Sequence, residues 1–173
     1  LSNSEQSSCA VLDNGSAVCW GSNEYGQLGD GTTAGAFEAF PNPVYVSLPS
    51  DRTAVAMASS SFANCAILDN GSVSCWGENS GGYLGDGTFT DSPTPVYVSL
   101  PSGRTAVSIS SGGEQTCAIL DNGSVSCWGM NQYGQLGDGL WDHGGFSEDR
   151  SSTPVFVNLS GNDFAVKLSE TNS

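Results

Sequence analysis

The chain has 173 residues, enough for one ordinary domain, and its 23 Gly, 7 Pro and 13% charged residues suit short strands and frequent turns rather than long helices. Its net charge is −14, and its four basic residues, Arg52, Arg104, Arg150 and Lys167, are dispersed. Phosphate recognition needs clustered Lys and Arg, so nucleic acid is not an expected partner, and no apolar run reaches the roughly 18 residues of a membrane-spanning helix.

One block recurs three times in chain order. It opens as Cys9-Ala-Val-Leu-Asp-Asn-Gly-Ser-Ala-Val-Cys19-Trp-Gly, returns as Cys65-Ala-Ile-Leu-Asp-Asn-Gly-Ser-Val-Ser-Cys75-Trp-Gly, and repeats identically from Cys117 to Gly129. Each block continues to Leu-Gly-Asp-Gly, at Leu28, Leu84 and Leu136, and then to Pro-Val-aromatic-Val, at Pro43, Pro95 and Pro154. A short Ala-Val segment follows at Ala54, Ala106 and Ala165. Most of the length variation lies between Leu-Gly-Asp-Gly and the Pro, which marks a surface loop that tolerates insertion.

Each repeat reads as four strands: A (Ala-Val-Ser-Ile-Ser), B (Cys-Ala-Ile-Leu), C (Ser-Val-Ser-Cys-Trp) and D (Pro-Val-Tyr-Val-Ser-Leu). The Asp-Asn-Gly between B and C is a hairpin signal, because Gly accepts positive φ cheaply. The expected fold is therefore all-β: three four-stranded antiparallel propeller-type blades that do not close a ring alone. Residues 1–173 form a single repeat domain, with repeats at about 1–51, 52–103 and 104–162 and a spare strand at 163–169.

The hairpin register pairs the cysteines. If Asp13-Asn14-Gly15 is a type I turn with Gly in the bulge position, Leu12 faces Ser16. Cys9 then faces Cys19 as a non-hydrogen-bonded pair, where Cα atoms approach most closely. The same count pairs Cys65 with Cys75 and Cys117 with Cys127. The competing readings are buried thiols or metal ligands, but the spacing matches no zinc knuckle and no His lies nearby. Persistent disulfides point to a setting outside the cell, at the cell surface or in a periplasm.

The run Cys-Trp-Gly-x-Asn-x-Tyr-Gly-Gln-Leu-Gly-Asp-Gly at Cys19–Gly31 and Cys127–Gly139 resembles the repeats of the regulator of chromosome condensation family. The middle copy departs from it, with Gly81-Gly82-Tyr83-Leu84. The paired cysteines look like the variant found in secreted bacterial proteins. The resemblance implies propeller blades, usually seven in a ring. The family often carries His two positions before strand B's Cys, where this chain has Ser7, Ala63 and Gln115. The nuclear exchange factor's activity on a small GTPase is not expected of an acidic, disulfide-bonded, three-repeat chain.

Leu1 aligns with Ile109, inside strand A, so the first repeat lacks most of its strand A while Phe164–Ser169 supplies a spare one. Strand addition at exposed sheet edges would join chains head to tail, through Leu1, Phe164, Ala165, Val166 and Leu168. The expected function is thus an extracellular structural subunit of a filament or oligomeric ring, with self-association as its main interaction. The alternative is a secreted binding propeller, or part of one, that presents loops to a protein partner. Phe37, Phe40, Trp141 and Phe146, unrepeated aromatics in variable loops, are the candidates for that contact.

No catalytic constellation is legible. The single His143 lies in the longest insert, and neither a Gly-x-Ser-x-Gly elbow nor a phosphate-binding Gly-Lys motif occurs; the chain is not expected to be an enzyme. No cofactor is expected. Calcium is the one candidate, through Asp30, Asp86 and Asp138, whose competing role is to shape Gly-Asp-Gly turns. Asn14, Asn70, Asn122 and Asn158 open Asn-x-Ser sequons and are glycosylation candidates. Trp20, Trp76 and Trp128 are expected to pack between blades.

Overall fold

Short runs of small and β-branched residues between glycine-rich turns fold this chain into strands alone. A computed structural model describes residues 1–3, 6–36, 38–140, 149–160 and 164–168. The first blade comprises β1 (Ser2–Asn3), β2 (Ser7–Val11), β3 (Ala17–Ser22) and β4 (Ala39–Tyr45). The second comprises β5 (Ala54–Ser59), β6 (Ala63–Leu68), β7 (Val73–Gly77) and β8 (Ser92–Tyr97). The third comprises β9 (Ala106–Gly112), β10 (Gln115–Leu120), β11 (Val125–Met130) and β12 (Arg150–Phe156). Each blade is one antiparallel sheet in simple sequence order, from strand A at one edge to strand D at the other.

The B–C hairpins have the geometry their sequence calls for. Gly15 N donates to Leu12 O at 3.0 Å and Leu12 N to Ser16 O at 2.8 Å. Gly15, Gly71 and Gly123 have φ of +79°, +77° and +80°, a conformation Gly adopts without strain. The turns put Cys9 opposite Cys19, Cys65 opposite Cys75, and Cys117 opposite Cys127. All three pairs are disulfides, with Cα separations of 4.1, 4.0 and 4.1 Å. A loop this short contributes about 2–3 kcal/mol on closure.

Strand D differs from its expected bounds. It begins earlier, at Ala39, Ser92 and Arg150, and ends at Tyr45, Tyr97 and Phe156. The expected continuation through Leu48 fails because the chain kinks there: Leu48 N turns back to Val46 O at 2.9 Å, and Leu100 does the same to Val98. The registers of strands C and D slip between the second Cys and the following Gly in every blade, at the Trp position. Such irregularities re-aim a side chain.

The core lies between blades rather than within them. Trp76 is fully buried in a cluster with Cys9, Cys19 and Leu28 of the first blade, and Trp128 in a cluster with Cys65, Cys75 and Leu84 of the second. Trp76 Nε1 donates to Gln27 O, and Trp128 Nε1 to Tyr83 O, both at 2.9 Å. Gly29 and Gly85 make room for the indoles, since a Cβ there would lie 2.6 and 2.9 Å from ring atoms. Trp20, with no earlier blade among the described residues to receive it, is only half-buried.

The seams between blades repeat too. Ala54 N donates to Gly15 O and Ala106 N to Gly71 O, each at 2.8 Å. Within each of the later blades the same linker is tied to its own B–C hairpin: Arg52 pairs with Asp69 at 3.3 Å, and Arg104 with Asp121 at 3.5 Å. Ala165 N makes the equivalent bond to Gly123 O at 3.0 Å.

The segment expected as a spare strand is therefore docked where strand A begins, yet residues 164–168 form no strand. A strand needs a neighbour to share its N–H and C=O groups, and no fourth strand B lies beside it among the described residues. Ala165 and Leu168 pack on the third blade, whereas Phe164 and Val166 are exposed, Val166 by 94%. Leu1 is exposed as well. Ser169 lies outside the described residues. Strand A of the first blade is β1, two residues long and paired with β2.

If the indole clamps carry the packing, Trp76→Ala should destabilise the chain by about 3–5 kcal/mol, the cost of a large core cavity. Trp20→Ala should cost under about 2 kcal/mol. Urea unfolding of the two variants, oxidised, makes the comparison; equal losses would show that the clamp is not what joins the blades.

Candidate functional site

The A–B and C–D loops emerge at one end of the blades, here the loop end, and the B–C hairpins at the other. The C–D loops are organised by a buried Asn after each Trp-Gly. Asn23, Asn79 and Asn131 are fully buried. Their Oδ1 atoms accept from Leu28, Leu84 and Leu136 N at 3.0, 2.9 and 2.9 Å. Their Nδ2 atoms donate across the loop to Thr32, Thr88 and Leu140 O, each at 3.1 Å. A buried amide that satisfies the backbone of its own loop is a scaffold group, and leaving those backbone groups unpaired is what its loss would cost.

The Asp residues of Gly-Asp-Gly act within the same loops. Asp30 Oδ1 accepts from Thr32 N and Oγ1 at 2.9 and 2.7 Å, and Asp86 Oδ1 from Thr88 N and Oγ1 at 2.9 Å each. Asp138 Oδ1 accepts from Leu140 N at 3.0 Å. No cluster of three or more His, Cys, Asp or Glu side chains able to hold a metal ion occurs among the described residues. The three calcium candidates thus sit one per loop, each acting as a turn acceptor.

The second loop explains its departure from the repeat. In the first and third, Gln27 and Gln135 Oε1 accept from Tyr25 and Tyr133 N at 2.9 Å. In the second, Tyr83 takes the Gln position and Gly81 the Tyr position. A Cβ at Gly81 would lie 2.3 Å from the Tyr83 ring, so the two exchanges require each other. Gln27 Nε2 and Asn64 Oδ1, both buried nearby, have no hydrogen-bond partner, although Asn64 Nδ2 donates to Gln27 O at 2.8 Å.

Across the loop end runs an aromatic row that the sequence did not single out. Tyr25 meets Phe62 edge-on and Phe62 stacks on Tyr83, each with ring centroids 6.4 Å apart. Tyr25 and Phe62 are half-buried and Tyr83 is nearly enclosed. Burial, then the carboxylates of Glu114 and Glu78, push the Tyr83 phenol up to about 12. Glu24 raises the Tyr25 phenol, with smaller contributions from burial, Glu78 and Asp91. Beside the row, Arg150 lies over the Phe89 ring, 4.4 Å from its centroid, and donates to Ser80 O.

The other sequence candidates fall elsewhere. Phe40 lies in β4, half-buried against the cluster between the first two blades, and so covers its own blade instead of presenting itself to a partner. Phe37, Trp141, His143 and Phe146 lie outside the described residues. Asn14, Asn70 and Asn122 occupy the hairpin tips, where their Oδ1 atoms accept from Ser16, Ser72 and Ser124 N at 2.9, 3.0 and 3.1 Å. Asn-Gly-Ser suits this turn. Asn158 is exposed after β12, its backbone N donating to Gly137 O at 2.7 Å. Phe62 has no repeat counterpart, and only its place in the short A–B loop beside the Tyr-bearing loop would have flagged it.

Tyr83 gives a measurable signature. A folded-state value near 12 against 10.0 for a free phenol means that the native state holds this proton more tightly. Stability is therefore intact below pH 10 and falls as pH rises toward 12. Ultraviolet titration should show one tyrosinate step displaced toward 12 that Tyr83→Phe removes. Loss of no late step in that variant would contradict the enclosed ring.

Residues 14–67 and 70–119 match the family described as Regulator of chromosome condensation (RCC1) repeat, and residues 106–135 match a second description of the same repeat. Among curated relatives, the RCC1 domain-containing protein RUG3, mitochondrial, of Arabidopsis thaliana is 31% identical over 87% of this chain and 32% of its own length. Protein RCC2 homolog of Danio rerio is 30% identical over 75% of this chain and 26% of its own. The human E3 ubiquitin-protein ligase HERC2 is 29% identical over 79% of this chain but only 3% of its own. The chain thus spans a third or less of these relatives. Of solved structures, Prp20p from Saccharomyces cerevisiae superposes with a TM-score of 0.77 at 18% identity, covering 91% of this chain and 37% of that one. Human WBSCR16 superposes at 0.73 and 22% identity, over 90% of this chain and 38% of that one. The motif, the three blades and these matches together place the chain in the regulator of chromosome condensation (RCC1) repeat family.

Proposed function

We propose that the chain is a non-catalytic binding module, or part of one, whose loop end contacts a protein partner in an oxidising, extracellular or cell-surface setting. One observation carries the reading. The Cys, Trp, Asn, Gly and Asp of the motif are consumed internally, by clasp, clamp, buried amide or turn, and strand D leaves its repeated aromatics Tyr45, Tyr97 and Phe156 exposed, whereas the loop end adds aromatics from several loops on one rigid surface. Phe62 lies there, as does Phe89, 48% exposed. Tyr133, the motif's tyrosine in the third loop, is 91% exposed there as well. Exposed aromatics on a rigid scaffold are how binding surfaces are built. The solved relatives support it by analogy: Prp20p has binding properties toward Gsp1p and histones, and Kap60 binds yeast RCC1 (Prp20). The disulfides support the compartment.

Cross-linking of the oxidised chain in its native medium, with the linked residues mapped by mass spectrometry, tests this. Links to another protein are expected on the C–D and A–B loops, around Glu24, Glu78 and Tyr133. Links confined to the hairpin tips, or only between copies of the chain, would overturn it.

Self-association has one specific observation in its favour. Trp20 is a clamp indole with no receiving blade among the described residues, and Gly137, the repeat counterpart of Gly85, has Val157 beside it as Gly85 has Val98, but no indole among the described residues. A second copy docked head to tail would use both, without requiring the residues at 164–168 to form a strand. Sedimentation of the oxidised chain should then give multiples of its 17.8 kDa mass that Trp20→Ala shifts toward the monomer. A monodisperse monomer at every concentration would end this reading.

A further inference from the structure

Both ends carry carboxylates, and Arg150 lies at the loop end, where it acts against the upward shift of Tyr83. At the hairpin end, Asp69 and Asp121 are each paired with an Arg. At the loop end, Glu24, Glu78, Asp91 and Glu114 surround the Tyr25–Phe62–Tyr83 row, and none of the four forms a salt bridge among the described residues. The row and the carboxylates are held by backbone bonds across the loops, Glu78 N to Phe62 O at 3.0 Å and Met130 N to Glu114 O at 2.9 Å. Asp91 Oδ1 is fixed by Asn79 N at 2.7 Å. These are aromatic rings and acids on one preorganised surface, not solvated acids on mobile tails.

We infer that this surface receives a basic segment of the partner, with Arg or Lys side chains seated against the exposed faces of Tyr25 and Phe62 and their charges beside Glu24, Glu78 and Glu114. The inference rests on the binding-module reading and names the partner's chemistry. Aromatic faces attract cations through their quadrupole, and carboxylates beside them give a guanidinium charge-assisted hydrogen bonds as well. The chain itself shows the mode once: Arg150 lies over Phe89 and donates to a backbone carbonyl on this same end. The upward shift of the Tyr25 phenol, caused first by Glu24, reports negative potential at that ring; that of Tyr83 is caused first by burial, then by Glu114 and Glu78, with Arg150 opposing it. An acidic partner would meet this potential as repulsion, and a purely apolar one would bury four carboxylates without compensation.

The test uses the full oxidised chain and a short Arg-Gly-Ser repeat peptide, with a Glu-for-Arg peptide as its counterpart, titrated at low and near-physiological salt. Binding of the Arg peptide is expected, with none of the Glu peptide. Glu78→Gln combined with Glu114→Gln should weaken it about tenfold, as expected for losing charge-assisted contacts. Asp13→Asn combined with Asp51→Asn removes the same charge from the hairpin end and should leave affinity within about twofold, which separates a site from general attraction to an acidic protein. Phe62→Leu, which keeps an apolar core contact but loses the ring, should weaken binding severalfold while leaving the melting temperature close to the parent's. Equal losses in the two charge variants, or no loss with Phe62→Leu, would overturn the inference. If cross-links still map a partner to the loop end through a segment without Arg or Lys, this inference fails while the binding-module reading stands.

Discussion

The indole that crosses from one blade to the loop of the blade before it is the constraint from which the other features follow. Trp76 and Trp128 each bury a large ring and place one N–H on one carbonyl. That single contact fixes four things: a Gly at the point of closest approach, a slip in the C–D register that aims the ring, a Leu beneath it, and a loop held shut so that its carbonyl faces the ring. The buried Asn does the last of these by satisfying backbone groups that would otherwise be stranded. The disulfide lies on the same face, in the same cluster, and replaces the wide hydrophobic layer that a sheet of short strands cannot supply alone. Because each cluster is shared by two blades, a blade is not an independent unit, and stability accrues interface by interface.

The outer edges follow from the same economy of strands. Each strand D carries proline, Pro41 and Pro43, Pro93 and Pro95, and Pro154. Proline lacks the N–H that a neighbouring strand would need, so these edges resist lengthwise pairing with other chains. Any association between copies is therefore better served by the blade faces than by the rims.

Much of this was legible in the sequence, for a physical reason. The hairpin register is a local property of three residues, so Asp-Asn-Gly was enough to place Cys9 opposite Cys19. The repeat was enough to give the blade count, and the constancy of Trp its place between blades. The ends of strand D were misjudged because the kink after Val46 depends on bonds to Ala17 and Gly29, distant in sequence. The strand at Phe164–Ser169 was misjudged because pattern reports what a segment can pair with, not whether a partner is present. The candidate site was largely illegible. Phe62, Tyr83 and Glu114 come from three loops and two blades, and only the closed interfaces bring them together. Phe40 looked like a free loop aromatic because its inward face is set by the C–D register slip.

The division between repeated and unrepeated residues also bears on how such a surface arises. A residue tied into clasp, clamp or turn cannot change without loss of an interface worth several kcal/mol, whereas a loop beyond the buried Asn is closed off from the core by that Asn's own bonds. Insertion there lengthens only a surface loop, whose entropic cost rises slowly with length. The second loop shows the limit of this freedom: Tyr83 in the Gln position is accommodated only because Gly81 vacates the Tyr position. The exchange preserves the carbonyl that Trp128 needs while replacing an amide with a ring that Phe62 can stack on. The same scaffold contact thus tolerates two loop chemistries, and the aromatic row exists because the second blade took the other one.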